Sequence, residues 1–233
     1  MFKKVSIATA SATLATLSTF SGASAIVNGS FENGFTGWST IGDTSIEDSS
    51  FGTAPSDGNF NALMNSDFGV SESELEAFLG LGLGDIDSSL NIDATIGSGI
   101  KQTIFAEAGD TLTFDFNFLT NEFTPEEFFN DSAFVSITSL ELLADTNSNF
   151  VTSMTPVSEE TGYQSFSFTF SETANYTLGF GVVNVGDTIV NSGLLIDNVE
   201  LTASTPEPTT ILSLFTTACG AFSLLKRNQK KEV

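Results

Sequence analysis

The chain has 233 residues, with 29 acids against seven Lys and Arg, no His and a single Cys, for a formal charge of −22. The lack of His excludes Ser–His and Cys–His nucleophile pairs and His-ligated zinc. So few bases exclude DNA or RNA as a partner, because neutralising phosphates requires Lys and Arg, and they disfavour anionic lipid surfaces for the same reason.

Lys3 and Lys4 open the chain, Val5 to Phe20 is weakly apolar, and Ala23-Ser24-Ala25 forms a small-x-small cleavage site. This order predicts a secretory signal peptide over 1–25, cut after Ala25. Residues 26–204 then have the length of one domain with a real core. That stretch carries 27 acids against Lys101 alone, with no Arg, His or Cys. Such a charge keeps a protein soluble and repels itself, which makes divalent cations natural partners.

The stretch begins "IVNGSFENGFTGW", with a first strand expected near 37–41 and the only Trp, Trp38, expected to be buried. A second strand is expected over 59–65. In "SESELEAFLG" Ser71 and Glu74 have capping-box spacing, acids crowd the first turn, and Gly80 can end it, so one helix of about two turns is predicted. The following "LGLGDIDSSLNIDATIGSG" reads as a loop, and strands resume at 99–105. In "TLTFDFNFL" Leu112, Phe114, Phe116 and Phe118 alternate with polar residues, the period of a half-buried strand. The acidic loop "NEFTPEEFFND" follows, in which Glu122, Asn130 and Asp131 are candidate cation ligands. The competing reading is a solvated loop with an Asx turn.

Strands are expected next at 133–138 and 140–143, then in "QSFSFTF" and "NYTLGFGVV", where the beat of two returns. Nineteen of the 23 Phe lie within 26–204, most on alternating strand positions, and are expected to pack in the core. The last strand, 193–201, contains "LLIDNVEL", whose alternation places Asp197 on the face of Leu195, Val199 and Leu201. A carboxylate buried there needs a partner, and no Arg exists to supply it. Asp197 therefore either ligates a metal or accepts backbone N–H bonds at a bend. Many short antiparallel strands with little helix predict an all-β fold, an antiparallel β-sandwich or jelly roll with one short helix.

The tail reads Pro206-Glu207-Pro208, an uncharged span over 209–225, then Lys226, Arg227, Lys230 and Lys231. The span is at the lower limit for a transmembrane helix, and the basic end acts as a cytoplasmic stop. Residues 205–233 resemble the PEP-CTERM sorting signal of exported bacterial proteins. That resemblance implies an exosortase-type processing enzyme as partner. It also implies a transient inner-membrane anchor and delivery to the cell surface or extracellular matrix.

Two further resemblances concern the domain. Its N-G-x-F-E…G-W start and apolar–D-N-V-x-L end resemble calcium-stabilised jelly-roll carbohydrate-binding modules. In such modules a structural calcium ties the first and last strands, and the matching carboxylates are Glu32 and Asp197, with Asp57 a third. The segment from Phe114 to Phe134 resembles bacterial surface domains of the choice-of-anchor type, where the matches to Glu122 and Asn130-Asp131 suit a cation.

The expectation is thus a noncatalytic envelope or matrix protein, stabilised by calcium and associated with exopolysaccharide. A lectin-like glycan-binding module is the alternative. A glycosidase needs only two carboxylates at a set separation, so composition leaves it open as a third and weaker reading.

Overall fold

The computed structural model describes residues 26–204. The expected signal peptide, with Ala23 and Ala25, and the sorting tail, with Pro206, Glu207, Pro208, the 209–225 span and Lys226, Arg227, Lys230 and Lys231, lie outside the described residues.

In chain order the strands are β1 Ser39–Ile41, β2 Asp43–Asp48, β3 Phe60–Asn65, β4 Val70–Ser71, β5 Ala94–Ala106, β6 Thr111–Thr120 and β7 Ser132–Ser136. They continue as β8 Leu140–Asp145, β9 Val151–Thr152, β10 Glu159–Glu160, β11 Gln164–Thr169, β12 Ala174–Val185 and β13 Ser192–Thr202. Two short helices, α1 Glu72–Leu79 and α2 Asp85–Leu90, lie between β4 and β5.

The strands form two antiparallel sheets. One has the order β1-β5-β12-β7-β8, with β4 beside β5; the other has the order β2-β3-β13-β6-β10-β9, with β11 beside β6. The core fills the space between them. Phe114 of one sheet meets Phe180 of the other edge-to-face at 4.8 Å, and Trp38 packs on Phe180 and Phe31. Trp38 is buried as expected, and its indole N–H donates to the Asn28 carbonyl at 3.2 Å.

The outer face of the first sheet is covered by α1 and α2. Glycines make the approach possible: a Cβ at Gly97 or Gly99 would meet the Leu75 side chain within about 3 Å, and one at Gly179 would meet Leu79 at 2.7 Å. Glu74 caps α1 by accepting the Ser71 N–H at 3.1 Å, and Gly80 ends it in the left-handed conformation. Buried Glu76 then accepts the N–H groups of Gly84 and Ile86, each at 3.0 Å, which fastens α2 to α1.

Two expectations require correction, and one strand was not anticipated. Among the described residues there are two α-helices rather than one, because α2 forms inside the segment read as a loop. It buries only Ile86, too little for a helical period to show. Strand β5 starts at Ala94, earlier than 99, and its early part is held by β4 and β12 despite interrupting glycines. Strand β2, "DTSIED", has one apolar residue and shows no alternation; its pairing with β3 defines it.

Candidate functional site

At one end of the sandwich the loop between β2 and β3 meets the first and last segments of the domain. The Glu32 carboxylate accepts the N–H groups of Asn59 (2.5 Å) and Phe60 (2.9 Å) and the Asn59 amide (3.1 Å). The Asn59 N–H bond above all holds its carboxyl below the usual range. Asp197 is fully buried. It accepts the Asp57 N–H at 2.9 Å, the Asn198 N–H at 2.8 Å and the Ser56 hydroxyl at 3.3 Å. Burial still pushes its carboxyl up to about 6.

Glu32 and Asp197 thus hold successive stretches of one loop, Asp197 at 56–57 and Glu32 at 59–60. Asp57 contributes its backbone N–H. Among the described residues no group of three Cys, Asp or Glu side chains is assembled as a metal cluster.

Asp197 shares the outer face with Leu195 but not with Val199 and Leu201. The register against β6 slips between Asp197 and Glu200, and Asn198 takes a positive φ of 52°. This β-bulge inverts the alternation, so Val199 and Leu201 join the core beside Leu194 and Ile196 while Asp197 stays outside it. No period-two reading anticipates a bulge.

At the opposite end three segments converge: 66–69, 121–131 and 186–191. The Asn121 N–H donates to the Asn191 carbonyl, the Ser66 N–H to the Ser192 carbonyl, and Gly186 packs against the Phe128 carbonyl and the Phe129 ring. Asp131 is fully buried beneath them; its Oδ1 accepts the Val185 N–H at 3.0 Å and its Oδ2 the Ser192 hydroxyl at 2.7 Å. With its amide turned to donate, Asn184 also reaches Oδ2 at 3.0 Å. Burial pushes the Asp131 carboxyl up to about 7, with Glu122 and Asp187 adding to the rise.

Asn130 turns away from this cluster. Its Oδ1 accepts the Thr146 N–H and hydroxyl and the Asn147 amide, tying the loop to the turn after β8. Glu122 does the reverse. It is only 8% exposed, and its Oε1 is buried with no hydrogen-bond partner. Burial raises its carboxyl, and Asp187 and Glu126 raise it further against a backbone bond from Phe123. The charges of Glu122 and Asp187 both act on the Asp131 carboxyl, and that of Asp187 on Glu122; the sequence reading did not single out Asp187. Nothing in "NVGDTIVNSG" marks Asp187 as more than a turn residue.

This end also carries exposed aromatic rings. Phe68 is 83% exposed, Phe123 89% and Phe128 80%, and Ile189 on the 186–191 segment is exposed too. They depart from the expectation that Phe belongs to the core; all three lie on loops, where no strand alternation turns them inward.

No family model matches the chain. No curated protein matches it. Solved structures do resemble it. The carbohydrate-binding module TmCBM61, in complex with β-1,4-galactotriose, is 14% identical over 77% of this chain and 97% of its own, with a TM-score of 0.41. The CBM27-1 module of Caldicellulosiruptor saccharolyticus, in complex with mannohexaose, is 11% identical over 76% and 95%, with a TM-score of 0.45. The K1 cleaved adhesin domain of Lys-gingipain from Porphyromonas gingivalis is 15% identical over 76% and 96%, with a TM-score of 0.42.

Proposed function

We propose that this chain is an exported, noncatalytic glycan-binding protein that contacts exopolysaccharide through the end formed by loops 66–69, 121–131 and 186–191. The observation that carries this reading is the set of exposed rings, Phe68, Phe123 and Phe128, standing on loops tied to one another and each next in sequence to an acid, Asp67, Glu122 and Glu127. Exposed apolar groups gathered at one place mark an interaction surface. Aromatic faces take the apolar C–H face of a sugar, and carboxylates and amides accept or donate at its hydroxyls.

The noncatalytic part rests on how three of the buried acids are used. Glu76 and Asp197 accept loop N–H groups, and Asp131 accepts an N–H and a hydroxyl, so these three serve the fold. Export rests on the two chain ends read from the sequence, with an exosortase-type enzyme as the processing partner.

The test is a glycan array probed with the full-length protein, followed by affinity measurement on any hit. The expected result is binding to a defined polysaccharide, weakened about tenfold or more in a Phe123→Ala, Phe128→Ala double variant. Absence of any hit, or a double variant that binds as tightly as the parent, overturns the reading.

A further inference from the structure

An open strand edge presents unpaired N–H and C=O groups, and folded proteins blunt such edges by brevity or charge. Among the described residues the other edge strands follow that rule. β1, β4 and β9 run two or three residues. β2 carries Asp43, Glu47 and Asp48, and β8 carries Glu141 and Asp145. β11 is different. Its six residues, Gln164–Thr169, include no charge, Pro or Gly, in a domain with 27 acids. It pairs with β6 alone, so its other side is an edge.

The ladder to β6 fixes which backbone groups are free. Just past the strand, the Phe170 N–H donates to the Asp110 carbonyl; before it, the Thr161 N–H donates to the Phe118 carbonyl, each at 2.9 Å. Bonding in an antiparallel ladder alternates, so Phe168, Phe166 and Gln164 also turn their backbone groups toward β6. Ser165, Ser167 and Thr169 turn theirs away, and all three residues are exposed. Phe166 and Phe168 are half-buried on the core side, where Phe166 stacks on Phe114 at 4.9 Å.

We infer that β11 is a self-association edge, across which two copies of this chain pair antiparallel about a twofold axis at Ser167. That register sets Ser167 against Ser167, Ser165 against Thr169 and Phe166 against Phe168 of the second copy. Each outward N–H and C=O then meets its complement, with hydroxyls opposed on one face and Phe rings on the other. A twofold contact uses the same patch on both copies, so the patch has to complement itself. The sequence of β11 does so. Charge selects the same contact. Two chains this acidic repel one another, and β11 is a strip where their backbones meet without a carboxylate on either strand.

The test is sedimentation velocity on the full-length protein in density-matched detergent, at ~0.5 M salt and protein up to ~100 μM. A dimer is expected, and it should weaken at ~10 mM salt, where repulsion is poorly screened. Ser167→Asp opposes two carboxylates at the axis and is expected to weaken the dimer about tenfold or more. Ser167→Pro removes an outward N–H and no bond to β6, so it gives a second reading should Ser167→Asp disturb the fold. The Phe123→Ala, Phe128→Ala double variant is expected to dimerise as the parent does. A monomeric parent, a dimer indifferent to both Ser167 variants, or a dimer lost in the Phe double variant overturns the inference.

Discussion

Glu72 opens α1 with one carboxylate oxygen buried and without a hydrogen-bond partner. Burial pushes its carboxyl up to about 7, and the neighbouring Asp87 and Glu76 add to the rise. The folded chain therefore holds this proton at a pH where the unfolded chain has released it. Stability falls as pH rises from about 4.5 to about 7, and the penalty is complete above that window. Glu72→Gln removes the titration. The variant is expected to melt higher than the parent above pH 7 and to lose the advantage near pH 4.5, as followed by thermal denaturation across that range. A parallel pair of pH profiles would contradict it. The acid run "SESELE" is plain in the sequence, and so are the cap at Glu74 and the stop at Gly80. Which of its three glutamates turns inward was not, because that depends on where the sheet lies beneath the helix.

Among the elements, α1 shows how sheet and helix select one another. Leu75 and Leu79 are buried because Gly97, Gly99 and Gly179 leave the strands bare at those points. Leu79→Ala empties that seat and is expected to cost about 2–5 kcal/mol in chemical denaturation, whereas Leu83→Ala, at an exposed position, should stay within about 0.5 kcal/mol. Equal effects would mean that the helices do not pack on the sheet as described. Strands β6, β11 and β12 were legible from alternation because each has one face in the core and residues of high contrast. Strand β2 was not, since an edge strand with a single Ile has little to alternate. The bulge in β13 was hidden for another reason: it changes phase inside an apolar run, where either face reads as buried. The consequence is local and specific, since it sets Asp197 outside the core and within reach of the 56–57 backbone.

At the scale of the molecule, 27 acids against one base surround a core rich in Phe. Self-repulsion of this size is long-ranged and screened by salt. Raising monovalent salt from ~10 mM to ~0.15 M should raise the melting temperature, and the further gain to ~1 M should be smaller, as thermal scans in chelator will show. A flat response would mean that the charges are already compensated within the fold. By itself the sequence determined the fold class, the Phe core, the exclusion of His and Cys chemistry, and the acidic character. These follow from composition and from the period of two, which are properties of the chain alone. Only the tertiary structure decided that Glu32 and Asp197 serve one loop, that Asn130 ties its loop to the turn after β8, and that Phe68, Phe123 and Phe128 stand in solvent. Those outcomes depend on which loops meet at each end of the sheets, and contacts between residues 54 to 140 positions apart leave no local pattern to read.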